Sequence, residues 1–309
     1  MRPPGSLALA TPRGGRPPAA RQSRFRGGKP GGGLALHGRI AALLLVVCAG
    51  AAAQDEVPFI TTPDKVTLAM LELAGVTAAD RLVDLGSGDG RIVITAARRF
   101  GASGLGVEIV PDLVAQSRVN ARKAGVAERA QFRVQDLFTL DLAPFSVVTM
   151  YLLPEVNLQL RPRLLALPAG TRIVSHDWDM ADWAPDRTVT LEVPDKAIGR
   201  EKRSQVHLWR VPAQVQGLWC AAGGSLQISQ RFQQFSATLL VPGQAAPVAV
   251  FDGRIDGMAL RSQEPADIGG PRTALRLEGQ QLQVLRVPPT AQRFEGARFV
   301  PALQGRCPG

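Results

Sequence analysis

The sequence predicts an α/β fold, a parallel sheet with one strand reversed late in the chain, followed by a small antiparallel β unit. Two observations predict it. Between residues 81 and 175, short apolar runs alternate with amphipathic stretches, the pattern of βα units whose strands are buried on both faces. From about residue 213 the texture changes to apolar alternation punctuated by glycine-containing turn signals, the pattern of half-buried strands joined by hairpins. A chain of 309 residues is long enough for one full α/β core and a smaller second unit.

The first 54 residues carry eight basic side chains and no acid, and removing those eight from the chain's 36 leaves 28 basic against 26 acidic residues. The basic charge therefore belongs to a leader and not to a folded surface, which argues against nucleic acid as a partner. The leader ends in an apolar run, Ile40 to Ala49, preceded by Arg39 and followed by small residues up to Ala53. This reads as a secretory signal cleaved after Ala53, giving an exported or periplasmic protein. An uncleaved anchor through residues 40–53, with membrane association, is the alternative, as is a cytoplasmic or organellar location. Val47 stands just before Cys48, where lipid attachment would want a small residue. Beyond the leader only Cys220 and Cys307 remain, an even pair that could close the C-terminal unit as a disulfide or stand as two separate buried thiols.

Two folded units are expected, residues 55–212 and 213–309. The first opens with Thr62 as helix N-cap and Pro63 at the first helical position, and Val66, Met70, Leu73 and Ala74 recur at helical spacing up to Gly75. Strands are expected at 81–85, 104–109, 131–134, 146–152 and 172–175, with helices at 91–100, 111–124 and 155–167 between them. Residues 188–193 and 205–211 follow without a long helix, so they read as a closing antiparallel pair. In the tail, Leu226/Ile228, Leu239/Val241, Val248/Val250, Leu275/Leu277 and Leu282/Val284 alternate. Gly223-Gly224, Asp252-Gly253, Asp256-Gly257 and Glu278-Gly279 read as the turns between them, in a sandwich or partial barrel.

The stretch that carries chemistry is Val83-Asp84-Leu85-Gly86-Ser87-Gly88-Asp89-Gly90-Arg91, an apolar strand running through three alternate glycines into a helix. Glycines there let the backbone turn sharply and approach a ligand. A dinucleotide site would place a third glycine three residues after Gly88, where this chain has Arg91. Asp84, two residues before the first glycine, suits a cationic amine and not a pyrophosphate. Glu108, at the end of the next strand and about 20 residues past the glycines, is placed to grip ribose hydroxyls. Asp136 ends the strand after that, where a carboxylate can accept from an adenine amino group while Leu137 covers the ring. Three acids at successive strand ends line one edge of the sheet, where open α/β sheets bind ligands. No His/Cys cluster has metal-ligand spacing, so no metal is expected.

Residues 57–63 (Val-Pro-Phe-Ile-Thr-Thr-Pro), 84–94 (Asp-Leu-Gly-Ser-Gly-Asp-Gly-Arg-Ile-Val-Ile) and 151–154 (Tyr-Leu-Leu-Pro) resemble the mitochondrial protein-lysine methyltransferases of the adenine nucleotide translocase and the ATP synthase c subunit, and their bacterial relatives. The resemblance covers roughly residues 57–183. It implies a class I methyltransferase (Rossmann-like) fold, S-adenosylmethionine as methyl donor, and a protein lysine as acceptor. It also implies donor-binding roles for Asp84, Gly86, Gly88, Glu108 and Asp136, a set that Thr62, Gly90 and Leu137 complete as candidates. Tyr151, at the end of a strand where acceptors usually sit, and His176, beside Asp177 and Trp178, are the candidate catalytic residues. Each has a plain structural alternative, a packed strand-end aromatic and a polar turn. Unlike the mitochondrial members, the chain has a secretory-looking leader and a C-terminal β unit. A small-molecule acceptor, or a non-catalytic nucleoside- or partner-binding exported protein, are the rival functions.

Overall fold

A computed structural model describes residues 60–197, 201–263 and 272–307. All of them lie in one compact unit, Val57–Gly309. The leader, with its expected cleavage site and apolar run, lies outside the described residues. Among those residues, no helix is long and apolar enough to cross a membrane.

Five parallel strands are laid down first: β1 (Arg81–Leu85), β2 (Ser103–Glu108), β3 (Ala130–Val134), β4 (Val147–Met150) and β5 (Arg172–His176). Helices α1 (Asp64–Leu73), α2 (Arg91–Phe100), α3 (Pro111–Lys123) and α4 (Pro154–Leu165) accompany them. The strands β6 (Arg187–Glu192) and β7 (Arg203–Arg210) finish the sheet, whose order is β3-β2-β1-β4-β5-β7-β6. The reversed strand β7 is antiparallel to both neighbours and lies inside the sheet, between β5 and β6. Chain order thus hides an insertion: the last strand made is not the edge strand.

The central strand β1 is buried on both faces from Leu82 to Leu85, as a strand covered by helices must be. One apolar layer joins Val66 and Met70 of α1, Val93 and Ala96 of α2, and Val114 of α3 to the sheet. A second layer, on Leu160 and Leu164 of α4 with Trp183 and Trp209, contains Val83, Leu85, Val148 and Ile173. Helix α2 buries Ile92, Val93, Ala96 and Ala97 and stops at Gly101, whose φ of 72° makes the left-handed cap. The start of α1 is one residue later than expected: Pro63 is the N-cap, its carbonyl accepting from the Thr67 amide at 2.8 Å, and Thr62 precedes it.

The remaining strands, β8 (Gly217–Ala221), β9 (Gly224–Arg231), β10 (Gln234–Leu240), β11 (Ala249–Asp256), β12 (Ala259–Ser262), β13 (Ala274–Glu278), β14 (Gln281–Arg286) and β15 (Arg298–Pro301), close into an antiparallel barrel. Pairing of β15 with β8, Val300 opposite Cys220 and Pro301 opposite Trp219, closes the ring and removes both sheet edges. Cys220 is bonded to Cys307 beside that seam, with Cα atoms 5.4 Å apart. The expected turn at Asp252-Gly253 is instead the middle of β11. A Cβ on Gly253 would lie 2.5 Å from the Phe235 ring and 2.3 Å from the Arg261 carbonyl, so the glycine makes room for an aromatic core residue instead of bending the chain. The barrel is fastened to the sheet by the Arg254–Asp186 ion pair, by Gln233 Nε2 donating to the Ala184 carbonyl at 2.9 Å, and by Phe232 stacked on Trp183.

Candidate functional site

Because β2 and β3 lie on one side of β1 and β4 and β5 on the other, chain connections diverge at β1. That divergence opens a crevice at the carboxyl ends of the strands. Asp84 sits there, only 2% exposed, and its carboxylate accepts from the Thr149 hydroxyl of neighbouring β4 at 2.7 Å. Burial, aided by the charges of Glu108 and Asp89 and opposed by that hydrogen bond, pushes Asp84 up to about 8. A carboxyl group in this state gains most from an arriving cation.

The glycine bend wraps the same spot. Gly86, Gly88 and Gly90 all have positive φ, of 74°, 51° and 82°. A Cβ on Gly86 would meet Leu152 Cδ2 at 3.0 Å, so the bend passes close under the tip of β4. Gly90 faces inward, where a Cβ would fall 2.6 Å from the Phe132 ring and 2.8 Å from Ser117 Cβ. Its place in the motif is explained by packing of α2 against β3 and α3.

Glu108 closes the bend from β2. Its Oε2 accepts from the Gly88 amide at 3.1 Å, and its Oε1 from the amides of Ile109 at 2.8 Å and Val110 at 3.1 Å. Asp136 lies two residues beyond β3, exposed, its Oδ1 capping the Phe138 amide at 2.8 Å, with half-buried Leu137 beside it. The Gln135 amide donates to the Glu108 carbonyl at 3.0 Å, which ties the tips of β2 and β3 together. Asp84, Glu108 and Asp136 are thus carried on the adjacent tips of β1, β2 and β3.

A shallow hollow is lined by Ile60, Thr61, Thr62, Asp84, Gly86, Ser87, Asp89, Arg91, Ile92 and Tyr151. Several of these were not singled out by the sequence. The Arg91 guanidinium forks onto Asp89, with Nη2 to Oδ2 at 2.7 Å, and donates to the Thr62 carbonyl at 2.8 Å. It thereby ties the segment before α1 to the glycine bend. Ser87 Oγ is buried with no partner among the described residues, and Thr149 was the lone polar residue of an apolar strand, the one signal that could have marked it.

On the β4–β5 side, Tyr151 lies against His176, ring centroids 3.9 Å apart. His176 is fully buried, its Nε2 2.9 Å from Ser204 Oγ and its Nδ1 3.4 Å from Thr62 Oγ1. Burial lowers it to about 4, with Lys196 and His207 adding to the effect against the pull of Asp177. The imidazole therefore stands neutral behind Tyr151 and not at the hollow. Asp177, held at a φ of 64°, follows it.

The residues at the hollow fit a donor bearing an ammonium group and further hydrogen-bonding atoms. A buried carboxylate with one hydroxyl partner, an orphaned hydroxyl at Ser87, and a backbone bend that a side chain would obstruct are what such a molecule needs. A sheet of this order, with a single reversed strand and a glycine bend at its central tip, defines a class I methyltransferase, and S-adenosylmethionine is its methyl donor.

Residues 84–187 match the family model of the ANTKMT methyltransferase domain. The chain is 42% identical over 138 residues to a protein-lysine N-methyltransferase of Saccharolobus islandicus (strain REY15A), a match covering 86% of that protein and 44% of this chain. The chain belongs to this methyltransferase family. It is also 37% identical over 106 residues to the adenine nucleotide translocase lysine N-methyltransferase of Mus musculus, spanning 46% of that protein and 34% of its own length. Among solved structures, it resembles an RNA methyltransferase from Salinibacter ruber in complex with S-adenosyl-L-homocysteine, at 52% identity, covering 50% of this chain and 96% of that one, with a TM-score of 0.47.

Proposed function

We propose that residues 55–212 transfer the methyl group of S-adenosylmethionine to the ε-amino group of a lysine in a protein. The observation that carries this reading is the buried Asp84 carboxylate at the central strand tip, beside the glycine bend and within reach of Tyr151 across one hollow. The names of the relatives support the lysine acceptor.

When bound, the donor supplies a methyl group already activated by its sulfonium. The chain's own residues then have to bind, align and exclude water. Asp84 takes the donor's ammonium, and Gly86, Ser87 and Gly88 present backbone and hydroxyl to its amino-acid end. Glu108 is engaged with three amides, yet a carboxylate has about four acceptor sites in all, which leaves room for a ribose hydroxyl. Asp136 and Leu137 flank the adenine. Tyr151 walls the acceptor side, and its hydroxyl, pushed up to about 12 by burial together with the Asp177 charge and a hydrogen bond to it, stays protonated. His176 acts through Tyr151 and Thr62 as a positioning residue.

The C-terminal barrel has an apolar core of its own within the same compact unit, and its disulfide supports an exported protein, because such bonds persist in oxidising compartments. The test is to incubate the full chain with methyl-labelled S-adenosylmethionine and cell extracts, then hydrolyse the protein fraction. Label in methyl-lysine is expected. Label confined to extractable small molecules would replace the protein acceptor, and the absence of label from both fractions would end the enzymatic reading.

A further inference from the structure

One lysine of this chain is paired with the carboxylate that meets Tyr151, a residue of the hollow's lining. The connection between β6 and β7 brings Lys196 back over the tip of β5. There its Nζ donates to Asp177 Oδ2 at 2.7 Å and to the Arg203 carbonyl at 2.5 Å. The carboxylate it meets is fixed from behind. Asp177 Oδ1 accepts from the Gln205 amide at 3.0 Å, the Asp177 amide donates to the Gln205 carbonyl at 2.7 Å, and the backbone is held in the left-handed region. A non-glycine residue in that region is uncommon and costs energy that the surrounding contacts must offset. Held so, Asp177 Oδ2 lies 3.4 Å from His176 Nε2, and the carboxylate bonds the hydroxyl of Tyr151, which lines the hollow.

The placement is selective. The whole chain has only five lysines, at positions 29, 65, 123, 196 and 202. Of the four that are described, Lys65, Lys123 and Lys202 are exposed, whereas the Lys196 side chain is 13% exposed. An ordinary surface lysine would have gained little from such burial, since a solvated ammonium loses hydration when covered. Among the described lysines, the well-covered one is thus paired with the carboxylate next to Tyr151.

We propose that Asp177, beside Tyr151, is the seat for the acceptor's ammonium group, and that Lys196 occupies it and is methylated in cis. This inference rests on the protein-lysine reading above. In the step, the Lys196 ammonium first gives up a proton to Asp177 or to water. The amine lone pair then forms the new C–N bond as the donor's C–S bond breaks, and the electron pair of that bond stays on sulfur, leaving S-adenosylhomocysteine. The methylammonium product is positively charged as formed, the proton given up beforehand being the one released overall, so the pair with Asp177 survives methylation and the seat stays filled.

The test uses the full chain with methyl-labelled S-adenosylmethionine, followed by peptide mapping of all five lysines. Label is expected at Lys196 ahead of the exposed Lys65, Lys123 and Lys202, with a per-molecule rate unchanged over a tenfold dilution of enzyme, as an intramolecular step requires. Lys196→Arg removes that label. A second readout needs no donor. Brief acetylation with acetic anhydride is expected to modify Lys196 at least fivefold more slowly than the three exposed lysines, and Asp177→Asn is expected to abolish that protection. Label on the exposed lysines at an equal or higher rate, or Lys196 acetylating as fast as they do, overturns the proposal. Methyl-lysine in extract proteins with none at Lys196 overturns this proposal alone, whereas methyl-lysine nowhere overturns the protein-lysine reading with it.

Discussion

Donor binding should release a proton, and the consequence can be worked from Asp84. With its carboxyl pushed up to about 8 by burial, the free enzyme at pH 7 holds the group mostly protonated, and pairing with an ammonium requires it to ionise. That ionisation costs about 1.4 kcal/mol at pH 7 and about 2.7 kcal/mol at pH 6, from 1.36 kcal/mol per unit. The sign follows: binding strengthens as pH rises, so Kd for S-adenosylhomocysteine should fall about ninefold between pH 6 and pH 7. The gain should fade near pH 8, where a typical α-amino group, with a pKa of roughly 7.7–8.0, begins to lose its own proton. Calorimetry in buffers of different ionisation enthalpy should report about one proton released per ligand at pH 6. Asp84→Asn removes the titrating group, so the pH slope should vanish, and binding should weaken by about a hundredfold or more through loss of a buried charge pair. A wild-type Kd that changes less than twofold between pH 6 and pH 7, or an Asn variant that keeps the slope, would refute the reasoning.

Three further outcomes follow from the same structure. Gly106→Ala would place a Cβ 2.5 Å from the Phe132 ring and 2.6 Å from Ser87 Oγ. Urea unfolding should show a loss of about 1–3 kcal/mol, as overpacking usually costs, with weaker donor binding as Ser87 is displaced. Replacing both Cys220 and Cys307 with Ser opens a loop with a sequence separation of 87 and should lower stability by about 2–4 kcal/mol, measured by chemical denaturation under oxidising conditions. His176, lowered to about 4 by burial, stays neutral in the folded state while the unfolded chain takes up a proton near 6.5. Its contribution of about 3 kcal/mol is therefore intact above pH 6.5 and lost as pH falls from 6.5 toward 4. Asp84, raised in the folded state, works in the opposite sense, so the check is the difference between wild type and His176→Gln. That difference should shrink across this window, and a constant one would count against a neutral buried imidazole.

Much of the sheet could be read because buried parallel strands and one-faced helices leave sharp periodicities. The spans 81–85 and 91–100 coincide with β1 and α2 as observed. What periodicity does not carry is strand order, since the placing of β7 between β5 and β6 depends on contacts across the sheet. The barrel was read as a sandwich or partial barrel because its closing strands are the least regular. Strand β8 is a Gly-Leu-Trp-Cys-Ala run without alternation, and β15 is four residues ending in proline. Gly253 misled because a glycine that makes space for a facing ring looks, in sequence, like one that makes a turn.

At the site, Asp84, Glu108 and Asp136 were legible as polar residues where apolar runs stop. Their supports were not, because the Thr149–Asp84, Arg91–Thr62 and Lys196–Asp177 contacts join residues far apart in the chain that only the fold brings together. Arg91 and Asp89 stood inside the quoted motif without a role, and the structure makes them the brace between the bend and the approach to α1.

The most direct measurement is a crystal structure of the full chain with S-adenosylhomocysteine. The account predicts the ligand's ammonium on Asp84, its ribose against Glu108, its adenine between Asp136 and Leu137, and its sulfur facing Tyr151. A ligand bound at another edge of the sheet, or bound here with Asp84 left without a cation, would contradict it.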